Sequence, residues 1–287
     1  MEASIYNKKR RWQDVICYGL IYLAAGLVVV LLVGMLGYVF GNGLSVIDLG
    51  FLTKVRSTLK GTDGVAGNIL NTIYLVVLTL LIATPLGVGG AIYLNEYAKP
   101  GRLVRMIEFT TETLSGIPSI IFGMFGMEFF GRALGLGYSI VNGVLTMTLM
   151  ILPLITRNTQ EALKTVPDSY RHGAIGMGAG RWYMIRTILL PSALPGILTG
   201  VILAIGRIVG ESAALLFTAG SGYFLPKTAA GYWEKLGQSG GTLSVELYLR
   251  MSKGEYTMAF GIAATLLFIV VVINLLTKLI VKKLRRE

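Results

Sequence analysis

Five stretches of this 287-residue chain run for 20 residues or more without an Asp, Glu, Lys or Arg: 15–47, 64–95, 133–156, 187–206 and 256–277. A helix needs about 20 apolar residues to cross a hydrocarbon core ~30 Å thick, and backbone polar groups there must be bonded within the segment. A sixth run, 113–127, has 15 residues, and Phe129 and Phe130 extend it past Glu128. The expectation is an all-α, polytopic membrane protein with six transmembrane helices at about 15–40, 69–94, 114–131, 138–157, 194–219 and 257–279. Composition agrees: 54% of residues are hydrophobic and 14% charged, against about 45–50% and about 25% in soluble domains. One soluble core of this length cannot hide that excess. Cys17 is the only cysteine, which rules out an intrachain disulfide scaffold. The first run is too long for a cleaved signal peptide and is expected to stay as an anchor.

Basic residues orient the bundle. With the amino terminus inside, Lys8, Lys9, Arg10, Arg11, Lys99, Arg102, Arg105, Arg157, Lys164, Arg171, Arg181, Arg186, Lys278, Lys282, Lys283, Arg285 and Arg286 fall on the cytoplasmic side. That is 17 residues against 8 in the outside connections, so the positive-inside rule puts both termini in the cytoplasm. It also accounts for the net charge of +11 without a nucleic-acid partner.

The whole chain, 1–287, reads as one transmembrane domain with two sizeable connections. One, about 158–190, lies on the cytoplasmic side and carries Pro167 and a short amphipathic piece. The other, about 220–256, is glycine-rich and closes with Leu243–Met251, whose alternation fits a strand or a surface helix equally. Gly196 and Gly200, then Gly206 and Gly210, recur four apart in the fifth helix, and Gly123 and Gly126 lie in the third. Small residues at such spacing let helices approach closely in lipid. Pro85, Pro118 and Pro153 fall within spans two, three and four, where each favours a kink.

No Gly-Lys dipeptide occurs, so no P-loop binds ATP here. The run Gly176-Met177-Gly178-Ala179-Gly180 lacks the strand and the full spacing of a dinucleotide fingerprint. His172 is the only histidine, and with one cysteine a His/Cys metal cluster is excluded; Cys17 reads as a small packing residue. Arg207 and Glu211 are the informative pair. Four apart on a continuous fifth helix, they share a face. If that helix starts at Pro195, Arg207 lies roughly 18 Å along it at ~1.5 Å per residue, near the middle of the bilayer. A charge there costs at least about 2.5–3.5 kcal/mol and generally faces a cavity or a partner. Either the pair only stabilises the bundle, or Arg207 offers its fork of donors to a passing oxyanion. In the second case Glu211 holds the fork in place or repels anions until the path opens.

At these residues the chain resembles a known family. The segment GILTGVILAIGRIVGESAALLFTAG (196–220) is similar to the fifth-helix signature of PstA-type permeases, the membrane subunits of bacterial phosphate ABC importers. TPLGVGGAIYLNEYAKPGR (84–102), IPSIIFG (117–123) and TRNTQEALKTVPDSYR (156–171) agree in order and spacing. The resemblance implies a type I ABC importer permease fold in the bacterial inner membrane. It also implies a related second permease (PstC type), an ATPase homodimer (PstB type), a phosphate-binding protein (PstS type) and inorganic phosphate as cargo. ATP and Mg would be bound by the ATPase, leaving this chain non-catalytic and without a cofactor. Family permeases carry a cytoplasmic Glu-Ala-Ala, Gly, Ile-x-Leu-Pro pattern that seats a coupling helix in the ATPase. Here Ile188-Leu189-Leu190-Pro191 matches its end, Gly178 falls ten residues before Ile188, and His172-Gly173-Ala174 replaces Glu-Ala-Ala. Arg171, His172, Gly173, Ala174, Met177, Gly178, Ala179 and Trp182 are the implied coupling residues. The family's Gly-Glu-Thr-Ala-Pro stands here as Gly210-Glu211-Ser212-Ala213-Ala214, keeping the hydroxyl and losing the proline kink. A permease for sulfate or molybdate, or a self-sufficient channel or ion-coupled carrier, are the competing readings.

Overall fold

The computed structural model describes residues 12–57 and 62–284. The basic residues at Lys8, Lys9, Arg10, Arg11, Arg285 and Arg286, which weigh in the orientation argument, lie outside them. Each of the five long charge-free runs is largely helical, because a backbone without water must bond to itself. The elements are α1 (Trp12–Gly43), α2 (Leu49–Thr53), an antiparallel hairpin of β1 (Val55–Ser57) and β2 (Thr62–Val65), and α3 (Ala66–Tyr97). There follow α4 (Arg102–Gly116), α5 (Ser119–Ala133), α6 (Ile140–Lys164), α7 (Asp168–Gly176), α8 (Arg181–Gly210) and α9 (Ala213–Thr218). The chain ends with α10 (Ala229–Glu234), α11 (Leu243–Ser252) and α12 (Tyr256–Leu284).

Among the described residues, α1, α3, α6, α8 and α12 are long and apolar enough to cross a membrane, and α4 with α5, counted as one bent span, brings the number to six. The expected third helix, 114–131, is that bent pair, which turns by 103°. Pro118 sits at the bend: it forces Ile117 into extended backbone (φ −73°, ψ 131°) and begins α5. Pro85 and Pro153 instead lie inside unbroken helices.

The core is the contact of α3 and α6, which run parallel, with α8, which runs antiparallel to α6; Leu75, Met147, Ile151, Ile155, Ile205 and Ile208 are buried together there. Lipid tails are as apolar as these side chains, so close van der Waals fit rather than hydrophobic transfer holds them. A Cβ at Gly196 would lie 2.5 Å from Ala162 Cβ, and one at Gly200 2.7 Å from Asn158 Cβ, so this glycine pair sets the approach of α8 to α6. Around Gly206 and Gly210 such an atom would meet nothing within 4 Å; that second pair opens onto the surface.

The glycine-rich connection is fastened to the first turns of α3. Asn68 and Asn71 each donate to the Gly241 carbonyl at 2.9 Å, Asn71 also reaches the Gly222 carbonyl at 2.9 Å, and Thr72 Oγ1 accepts from the Leu243 N–H at 3.0 Å. The Leu243–Met251 stretch is a helix, α11, capped by Thr242, and it is packed rather than superficial, with Leu243, Ser244, Val245, Glu246 and Arg250 buried. Its buried charges are paired: Arg250 bonds Glu246 (2.7 Å), Asp63 (3.1 Å) and Glu255. Burial would lower the Arg250 pKa, but the hydrogen bonds it donates to Glu246, Glu255 and Asp63 outweigh it and raise the value above the ordinary range.

Candidate functional site: a broken span and an exposed turn

The expected continuous helix over 194–219 is broken. Helix α8 starts earlier, at Arg181, and stops at Gly210; Glu211 is extended (φ −77°, ψ 123°), and α9 restarts at Ala213. No proline is present at the break. Glu211 makes it instead, folding its carboxylate forward so that Oε1 accepts the Ala214 N–H at 3.1 Å, one of the orphan donors of the new helix. The Glu211 carbonyl, freed from the helical ladder, accepts the Ser244 hydroxyl of α11 at 2.6 Å. The Ser212 carbonyl accepts the Leu216 N–H at 2.9 Å, while its hydroxyl makes no cap bond.

This geometry corrects the expected pairing. Arg207 lies in the last turn of α8 and is exposed, whereas Glu211 is buried, at 9% exposure, beyond the helix end. No ion pair joins them: the break turns the fourth residue away from the face that an unbroken helix would share. Arg207 stands on an open strip with Leu203, Gly206 and Gly210. Extending the register of the Gly196–Ala162 and Gly200–Asn158 contacts along the antiparallel helices, Arg207 is level with about Ile151, midway along α6. An unpaired guanidinium at the last turn of a helix also meets that end's negative partial charge, which favours it there.

At the other end of α8 the expected coupling residues separate into two groups. Helix α7 ends in a Schellman motif: the Ala179 N–H bonds the Ala174 carbonyl at 3.0 Å, and Gly178, at φ +80°, bonds the Ile175 carbonyl at 2.9 Å. His172, Gly173, Met177, Gly178 and Trp182 are exposed around this turn, with Met177 at 83% and Trp182 at 60%. Tyr170, Ile175 and Tyr183 widen the same apolar surface. Ala174 and Ala179 face inward, packing with Leu163, Val166, Met184 and Ile185.

Arg171 also turns inward, contrary to the expectation of an outward contact. Its guanidinium bonds Glu96 (2.9 Å), Asp168 (3.0 Å) and the carbonyls of Val166 (2.9 Å) and Leu163 (3.0 Å). Hydrogen bonding to Glu96 holds Arg171 above its ordinary pKa range despite partial burial. Sequence reasoning missed both Glu96 and Ser244. Glu96 had a signal: it is the acid that ends the second charge-free run, at an edge where bases are expected.

The family of binding-protein-dependent transport system inner membrane components matches this chain over residues 83–286, which includes both the broken span and the exposed turn. The chain belongs to that family. This permease is 39% identical over 211 residues to the probable ABC transporter permease protein YqgI of Bacillus subtilis (strain 168), covering 74% of this chain and 72% of the relative. It is 30% identical over 249 residues to the phosphate transport system permease protein PstA 1 of Mycobacterium tuberculosis (strain CDC 1551 / Oshkosh), covering 82% and 80%. Its fold superposes with a TM-score of 0.63, at 18% identity, on a chain of a bacterial ABC transporter involved in the import of the acidic polysaccharide alginate, covering 96% and 98%. The permease therefore has the type I ABC importer fold and is a multi-pass, non-catalytic inner-membrane subunit of an ABC importer. Permeases of this class work beside a second permease, an ATPase and a soluble binding protein.

Proposed function

We propose that this permease, acting as one domain along its whole length, forms with a PstC-type partner the path for inorganic phosphate. The observation that carries the reading is Arg207: a guanidinium level with the middle of α6, on an open strip, without an acidic partner among the described residues. A charge kept at that depth needs water or a counter-charge, and a transient anion supplies one. An arginine fork suits the oxygens of phosphate, and a single exposed fork attracts the ion without trapping it. Likeness to phosphate transport system permeases supports phosphate over other oxyanions. Both termini and the 166–185 turn face the cytoplasm in this reading. A PstB-type ATPase dimer, which holds ATP and Mg, seats Met177, Trp182 and their neighbours, and a PstS-type protein delivers phosphate from the opposite side.

The test is uptake of labelled phosphate by the complex reconstituted in lipid vesicles. Charge-assisted hydrogen bonds contribute about 1.5–3 kcal/mol each, so Arg207→Gln is expected to lower uptake at least tenfold while leaving subunit stoichiometry intact. Unimpaired uptake would reduce Arg207 to a structural role. Competition by excess sulfate or molybdate, if stronger than by phosphate, would reassign the cargo.

A further inference from the structure

We propose that Arg171 and Glu96 are positioning residues: a clamp that transmits displacement of the ATPase-docking turn to α3 and α6. The proposal rests on the reading of that turn as the ATPase seat, and deepens it.

Three chain segments end at the clamp. Helix α3 closes in a widened turn, Tyr93–Tyr97, which carries Glu96. Helix α6 ends at Lys164, leaving the Leu163 and Val166 carbonyls beyond its ladder. Helix α7 begins at Asp168. Arg171 reaches all three with one planar group. Its Nε–H is shared between the two Glu96 oxygens at 3.3 Å each; Nη2 serves Glu96 and Leu163; Nη1 serves Val166 and Asp168. All five donors of the guanidinium are thereby used. Asn95 Nδ2 donates to Glu96 Oε1 at 2.7 Å and fixes the carboxylate from its own side.

Little else fastens α7 to the bundle. Ala174 is the only buried residue of α7, so apart from Arg171 the helix is held by that methyl group, by the partly buried Ala179 that follows it and by its two covalent connections. The Glu96 side chain is 7% exposed and that of Arg171 17%, so water competes weakly for the bond. Apolar contacts let surfaces slide, whereas a bidentate ion pair fixes both distance and angle. Pulling on α7 thus pulls the ends of α3 and α6 together, and α6 packs against α8, which carries Arg207. A lysine cannot replace this fork, since its three donors radiate from one point.

The experiment compares Glu96→Gln, Glu96→Asp and Arg171→Lys with wild type in the complete complex, reconstituted with both permeases, ATPase and binding protein. Subunit stoichiometry, ATP hydrolysis and labelled-phosphate uptake are read on the same vesicles. A second, cargo-free readout is ATP-dependent thiol labelling of Gly206→Cys in a Cys17→Ser background, at a site open to a new side chain. Expected for Glu96→Gln is wild-type stoichiometry, hydrolysis within twofold, phosphate carried per ATP down at least tenfold, and loss of the ATP-dependent labelling change. Glu96→Asp, keeping the charge, should recover part of that ratio. An unchanged ratio together with an unchanged labelling response in Glu96→Gln overturns the proposal. So does a parallel loss of assembly, hydrolysis and uptake in all three variants, which marks a staple of the fold. If wild type takes up no phosphate yet shows the labelling change, the cargo reading fails and the clamp is judged on labelling alone.

Discussion

Arg207 and Glu211 stand four apart in sequence, and two hydrogen bonds at Glu211 accompany their separation in space. Once the Glu211 carboxylate bonds the Ala214 N–H, the ladder that would carry it beside Arg207 is interrupted. The same residue-level logic, inverted, governs Arg250, whose buried guanidinium is surrounded by Glu246, Asp63 and Glu255. Removing one member of a buried pair leaves an uncompensated charge and costs about 3–5 kcal/mol. Arg250→Met should therefore lower stability by about that much, read as a reduced chemical-denaturation midpoint of the detergent-purified complex. The Glu246 side chain, 6% exposed and left only with Arg56 at 3.6 Å, is where that penalty falls.

At the scale of elements, the turn between α7 and α8 depends on Gly178, whose φ of +80° strains any residue with a Cβ. Asparagine tolerates the left-handed region better than other side chains. Gly178→Glu should consequently strip the ATPase from the purified complex, and Gly178→Asn should retain it, as subunit stoichiometry on size exclusion will show; equal retention by both contradicts the docking assignment. The charge-free runs made the spans legible because backbone self-satisfaction in lipid leaves helices little alternative. The break after Gly210 was not legible, because it depends on Ser244, 33 residues downstream, and on a carboxylate choosing a local amide over a basic neighbour. The Pro118 bend was legible as a kink but not as a near right angle, since the angle is fixed by what α4 and α5 pack against. Arg171 illustrates the same limit: its type and place matched a coupling residue, but its direction is set by Glu96, 75 residues away.

For the whole molecule, exposure of apolar surface is the dominant fact. The most apolar stretch of α1 is 0% buried within the chain, and α1 meets α12 only near its end, through Gly43 and the Tyr38–Phe260 edge contact at 5.4 Å. Such a surface is stable only against lipid or neighbouring subunits. Its proposed orientation rests on the excess of bases on one side. A fluorescent protein fused after Glu287 should fold and fluoresce, whereas alkaline phosphatase at the same place should stay inactive; the reverse result inverts the proposed topology.

Because the interruption after Gly210 is built from a carboxylate and a hydroxyl rather than a pyrrolidine ring, it is a joint and not a weld. Two polar contacts hold the break at Glu211, and no pyrrolidine ring bars the two halves of this span from straightening about it. If phosphate passes Arg207 as proposed, a machine that opens alternately to either side would have in that break a pivot one turn from the charge.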